Sequence, residues 1–150
     1  MNPESSQNGF VQQERTISTE GFSDVHDLSD LVGSFVEDVG GSGLVNVFVP
    51  GSTASITTIE FEEGCVQDLQ EALEEIAPSD ASYEHNKKWG DGNGFSHLRS
   101  SLMGPGVTVP FRDATLQTGT WQQVVLVDND NRNRERTVIF TALKGTPGSV

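Results

Sequence analysis

A chain of 150 residues and 16.2 kDa with 34% hydrophobic residues has room for one modest core and not for a second domain. Its net charge of −13 argues against nucleic acid or an anionic membrane surface as partner. A single cysteine, Cys65, excludes an intrachain disulfide and a thiolate-rich zinc site. No basic-then-apolar leader stands in Met1–Gln13, and no apolar run approaches the ~20 residues of a membrane helix, so a cytoplasmic protein is expected.

Residues 1–13 read as a disordered or extended tail, 14–145 as a single domain and 146–150 as a second tail. Glu14–Thr19 can form a first strand, closed by a turn at Glu20 and Gly21. Leu28, Leu31, Val32, Phe35, Val36 and Val39 recur at helical spacing, with Asp27 or Ser29 available as N-cap and Gly40-Gly41 as the stop. Leu44–Val49 is a β-branched and aromatic run, broken at Pro50-Gly51 and resumed over Ser52–Phe61 as a second or a bent strand. Val66, Leu69, Leu73 and Ile76 mark a second helix that ends at Pro78. After a long loop come a short helix over Phe95–Met103 and strands over Val107–Phe111, Thr120–Val127 and Arg134–Leu143, with turns at Asp113-Ala114 and Asp128–Asn133. The class is α+β: a mostly antiparallel, β-sandwich-like sheet system with two main helices on one side.

The charge is unevenly placed. Residues 1–86 hold 17 acids and one base, Arg15, whereas residues 87–150 hold eight bases and five acids. Scarce cations gathered in one half suggest a phosphorylated small-molecule ligand there. The stretch Tyr83–Ser100 is long for a loop in a compact domain and rich in His, Asn and Gly, as functional loops are. His85 and His97 can ligate a metal, carry a proton or donate to phosphate, and Glu60 or Asp91 could complete a two-His, one-carboxylate set for a divalent metal such as Mg or Zn. Gly90-Asp91-Gly92-Asn93-Gly94 matches neither dinucleotide nor P-loop fingerprints, so no nucleotide cofactor is expected, although glycines leading into a helix can expose N–H groups to phosphate.

Arg132, Arg134 and Arg136 would share one face of an extended strand, able to grip a diphosphate or merely to solubilise a hairpin. Asp128-Asn129-Asp130-Asn131 hints at calcium but has Arg132 and Ile139 at the fifth and twelfth loop positions, which excludes an EF-hand. Gly51-Ser52-Thr53-Ala54 can offer hydroxyls and amides to an oxyanion without forming a nucleophile motif. In Gly119-Thr120-Trp121-Gln122, Gln122 is a candidate polar contact.

Taken in order, Val-Phe-Val-Pro-Gly-Ser-Thr-Ala (47–54), Tyr-Glu-His-Asn (83–86), Gly-Asp-Gly-Asn-Gly-Phe-Ser-His-Leu-Arg (90–99), Leu-Met-Gly-Pro (102–105) and Gly-Thr-Trp-Gln (119–122) resemble the YjbQ family, also called secondary thiamine-phosphate synthases. The resemblance implies a compact sheet-rich fold, a homotrimer with sites near subunit boundaries, and a role in thiamine biosynthesis. That role would be a transferase joining an aminopyrimidine methyl diphosphate to a thiazole phosphate with release of pyrophosphate. On that reading His85 and His97 bind metal or protonate the leaving group, with Glu60 a further ligand. Arg99, Arg134 and Arg136 hold phosphates, and Ser52, Thr53, Asn93 and Gln122 orient substrate. The alternative is a trimeric, non-catalytic binding or regulatory module for a phosphorylated metabolite. This chain departs from the pattern at Gly51-Ser52, where many members carry His-Thr, and at Gly106 and Ala114, where Ser and Gly are expected.

Overall fold

The computed structural model describes residues 9–146 and 148. Strand β1 (Gly9–Thr19) pairs antiparallel along its whole length with β8 (Arg134–Gly145). It therefore begins ahead of the Glu14 that the sequence suggests, because a neighbouring strand supplies partners that local propensity cannot reveal. β8 also pairs with β3 (Ser42–Phe48), which pairs with β5 (Gly106–Arg112), which meets the two-residue β6 (Thr115–Leu116). The result is a five-stranded sheet ordered β1-β8-β3-β5-β6. A second, three-stranded sheet is ordered β2-β7-β4, from β2 (Asp24–Asp27), β7 (Gln123–Asp128) and β4 (Ala54–Ile59). Every pairing is antiparallel, and the class is α+β as read from the sequence.

The alternation of side chains along β7 assigns the layers. Val124 and Leu126 point into the main core, where they meet Ile56 of β4, Val45 and Val47 of β3, Val138 and Phe140 of β8, and helix α1 (Ser29–Val39). Helix α1 buries Val32, Phe35 and Val36, the apolar stripe at helical spacing. Its start is held by Asp27, whose carboxylate accepts the Ser29 N–H at 2.9 Å, and by Ser29, whose hydroxyl accepts the Val124 N–H at 3.0 Å. Val125 and Val127 point the other way, onto Leu69 and Leu73 of α2 (Glu63–Ile76) and Met103 of α4 (Gly94–Met103). The helices thus take opposite faces of the three-stranded sheet, and a further short helix, α3 (Glu84–Trp89), lies within the stretch read as loop. Among the described residues no helix is long and apolar enough to cross a membrane.

Candidate functional site

The chain passes between the two sheets six times, three of them through residues 20–23 (β1 to β2), 49–53 (β3 to β4) and 129–133 (β7 to β8). These three crossings meet at one corner. The Phe22 N–H donates to the Asp130 carbonyl at 2.7 Å, and the Asn129 N–H to the Thr53 carbonyl at 2.9 Å. Gly21, at φ 85°, runs so close that a Cβ there would stand 2.5 Å from the Asp130 carbonyl oxygen. Buried irregular backbone must find partners, which explains why polar residues follow directly on the apolar run of β7.

Asp128, Asn129 and Asp130 are fully buried. Arg136 donates through Nε at 2.7 Å and Nη2 at 2.9 Å to the Asp128 carboxylate, which also accepts the Thr19 hydroxyl. Nη2 of Arg136 reaches Thr53 Oγ1 at 2.7 Å as well, and Thr53 in turn donates to Asp130 Oδ2 at 3.1 Å. Arg134 donates to the same Oδ2 from Nε at 2.7 Å. Burial pushes both carboxyls up, but it is outweighed. Arg136, Thr19 and the Asp130 N–H hold Asp128 below the ordinary carboxylate value, and the Asn131 N–H, Arg134 and Asn93 do so for Asp130.

The start of α4 caps this corner. Asn93 donates from Nδ2 to Asp130 Oδ1 at 3.3 Å and places no side-chain cap on α4. Gly90, left-handed at φ 72°, ends α3 and turns the chain so that His85 on α3 faces His97 in the first turn of α4. The two imidazole rings lie 4.5 Å apart at 41°. His85 Nδ1 stands 3.5 Å from Asp91 Oδ1, outside hydrogen-bond geometry. Burial, and then the neighbouring His85, depress the His97 pKa against the opposing pull of Asp130 and Asp91, so His97 is neutral at pH 7. Among the described residues His85 Nδ1, Asn93 Oδ1 and Ser96 Oγ are buried without a hydrogen-bond partner.

Of the residues singled out in the sequence, the structure gathers His85, His97, Asn93, Thr53, Arg134 and Arg136 at this corner, with Ser52 exposed on the 49–53 crossing beside it. Two lie elsewhere. Gln122, bonded to Thr58 and Gly119, and Glu60, just beyond Ile59, sit at the opposite end of β7. Five residue steps along the strand, roughly 17 Å at ~3.4 Å each, separate Gln123 from Asp128. The expected metal set of His85, His97 and Glu60 is therefore not assembled, and no group of three His, Cys, Asp or Glu able to hold a metal occurs among the described residues.

Arg99 also takes a different part from the phosphate ligand foreseen. It is 1% exposed, lies over the Phe95 ring, and ties α4 to Ala77 O at 3.0 Å and 2.8 Å, to Ser23 Oγ at 3.0 Å and to Glu74. Arg134 and Arg136 face Asp130 and Asp128, so none of the three is an open cation for a diphosphate. Arg132 precedes the start of β8, and the alternation that would align it with them does not reach it. Sequence reasoning missed Asp128, Asn129 and Asp130 as the hub. The available signal was three amide or carboxyl side chains set immediately behind an apolar strand.

Residues 13–145 match the family described as UPF0047 protein YjbQ-like. The UPF0047 protein of Mycobacterium tuberculosis H37Rv is 38% identical over 119 residues, 79% of this chain and 88% of that protein. That of Archaeoglobus fulgidus is 34% identical over 130 residues, 87% and 99%. A YbjQ-like protein of unknown function from Sulfolobus solfataricus P2 superposes with TM-score 0.86 at 29% identity, covering 91% of this chain and 99% of that one. A hypothetical protein of Aeropyrum pernix K1 does so at 0.83 and 31%, covering 89% and 98%. These relatives are uncharacterised, and none carries a thiamine-phosphate synthase assignment. The transferase reading drawn from the resemblance is thereby overturned, in keeping with arginines already paired to carboxylates and an unassembled metal set. What the shared residues and the shared fold establish is membership: the chain belongs to the UPF0047 (YjbQ-like) family.

Proposed function

We propose that the chain binds a small phosphorylated metabolite at the start of α4 and exchanges a proton with it through His97. The observation that carries this reading is the facing pair His85 and His97 beside the start of α4, where Asn93 makes no side-chain cap and only the Gly94 N–H is taken by a side chain, Asn86 Oδ1 at 2.9 Å. The positive end of α4 favours an oxyanion, and the neutral His97 imidazole can donate from one ring nitrogen and accept a proton at the other. Ser96 Oγ and Asn93 Oδ1, buried without protein partners, are further polar groups that a ligand would satisfy. The paired arginines restrict the ligand: a phosphate monoester held by dipole and imidazole suits the site better than a diphosphate needing unpaired guanidinium groups.

Titrating inorganic phosphate and glycerol 3-phosphate while following the histidine ring resonances tests the reading. The His85 and His97 signals move together, those of His26 stay, and His97→Gln weakens binding at least tenfold. Unmoved His85 and His97 signals at 20-fold excess over the ordinary millimolar range of weak sites, or an unaffected His97→Gln, defeat it.

We also propose that the chain works as a homotrimer. Self-association is supported by a cross-strand row on the uncovered face of the five-stranded sheet, where Phe10 and Leu44 both lie opposite Leu143, and Leu44 opposite Pro110. Phe10, Leu143 and Leu44 are 64%, 56% and 47% exposed, an apolar strip of the kind that association covers. Sedimentation equilibrium reads the mass directly, and a monomer at micromolar concentration refutes it.

A further inference from the structure

Strand β2 is an edge of the three-stranded sheet, and α2 runs beside it, leaving a groove of about 560 Å³ between them. Hydrogen bonds fix which backbone groups of β2 face this groove. The Phe22 N–H and the Leu28 N–H both point to the β7 side, reaching Asp130 O and Val124 O, so even-numbered residues bond inward and the odd-numbered Ser23, Val25 and Asp27 present their N–H and C=O outward. The chain itself uses one of these groups: Gln70 on α2 donates from Nε2 to Ser23 O at 2.9 Å, as an added strand would. Val25, next in phase, opens onto the groove.

The walls have a consistent chemistry. Phe61, 44% exposed, and Val66 form an apolar patch opposite Val25. Glu62 and Glu63 add two carboxylates and no base is among the described lining residues, while the Asp24 carboxylate is turned to His26 Nε2 at 2.7 Å and the Glu20 N–H at 2.8 Å. Glu62 holds the Gly64 and Cys65 N–H groups at 2.8 Å and 2.9 Å, which keeps its pKa lowered and its charge in place. An edge strand beside a helix, with apolar and acidic walls, complements an extended segment of alternating apolar and basic side chains.

We infer that the β2–α2 groove is a docking site for such a segment of a partner protein, added antiparallel or parallel to β2 as a fourth strand. Main-chain bonds form to Val25, apolar side chains cover Phe61 and Val66, and basic side chains meet Glu62 and Glu63. Four residues of β2 limit the paired stretch to about 13 Å, so the recognised segment is short.

The capped pentapeptides Lys-Val-Lys-Val-Lys and Glu-Val-Glu-Val-Glu, and the basic one N-methylated on alternate residues, are titrated into the full chain with amide resonances followed. The basic peptide shifts Val25, Gln70, Phe61 and Val66 and slows exchange of the Val25 amide, while the acidic and the N-methylated peptides bind at least tenfold more weakly. Glu63→Lys, on the exposed first turn of α2, weakens the basic peptide at least fivefold, and Glu37→Lys on α1 leaves it unchanged. Equal binding of the N-methylated peptide would reduce the effect to non-specific charge attraction and overturn the inference. So would shifts mapping away from β2 and α2, or a Val25 amide already protected in the peptide-free protein by self-association, which would make a second copy the occupant.

Discussion

The buried pair between Asp128 and Arg136 offers the sharpest test of how the corner is held. In Asp128→Asn the side chain keeps its shape but loses its charge, leaving the guanidinium of Arg136, 8% exposed, without its main counter-ion. Breaking one partner of a buried pair costs about 3–5 kcal/mol. The lower end applies, because Asp130 Oδ2 remains 3.7 Å from Arg136 Nη2 and the amide oxygen can still accept one bond. A domain of this length has an unfolding entropy near ~0.3 kcal/mol/K, so a loss of about 3 kcal/mol lowers Tm by roughly 10 °C. Urea unfolding at pH 7, followed by circular dichroism, measures the change, with an unaltered m-value required for the comparison. The double variant Asp128→Leu with Arg136→Met, which removes both charges, recovers part of the loss. A single variant within ~1 kcal/mol of the parent, set against the ~3 expected, would refute the view that this ion pair holds the corner.

Four further outcomes follow from particular residues. Because the folded pKa of His97 is depressed, the unfolded chain binds a proton that the folded one refuses, so stability falls as pH drops from about 6.5 toward that folded value, with a slope of at most ~1.4 kcal/mol per pH unit. His97→Gln removes this slope; an unchanged pH profile between 7 and 5 would contradict it. Asp128 and Asp130 also have depressed folded pKa values, and their contribution, full above about pH 4, disappears as pH falls through those values, so acid unfolding in the parent is steepest below that point and blunted in Asp128→Asn. Ala114 holds φ 58° in the β5–β6 turn, where glycine carries no Cβ penalty, and Ala114→Gly should raise stability by about 0.5–1 kcal/mol in thermal melts. Gly43→Ala would put its Cβ 1.9 Å from the Leu143 carbonyl oxygen, and a loss of about 2 kcal/mol or more is expected in the same assay.

The elements came through the sequence where periodicity had one reading. The stripe Leu28–Val39 became α1, Val66–Ile76 the body of α2, and Phe95–Met103 nearly all of α4, because apolar spacing and terminal Gly or Pro agreed. β2, β6 and α3 escaped it. Asp24–Asp27 carries only one apolar residue and is a strand because β7 lies beside it, and Glu84–Trp89 is too short and polar to show a face. The histidines stood out as candidates, being scarce and set among glycines and asparagines, and the fold brings His85 and His97 face to face, whereas the fates of Arg99, Arg134 and Arg136 were not legible. A guanidinium reads the same in sequence whether it awaits an anion or already holds one.

From the amino-acid order alone came the class of the fold, the main helices, the family resemblance and the choice of His85 and His97. Each rests on local pattern or residue chemistry, which the chain carries wherever it goes. Tertiary structure decided the rest: that three crossings share one corner, that Asp128 and Asp130 neutralise the arginines there, and that Glu60 and Gln122 end up at the far end of β7. Those outcomes depend on strand order and register, which bring together residues distant in sequence and which short-range pattern does not encode.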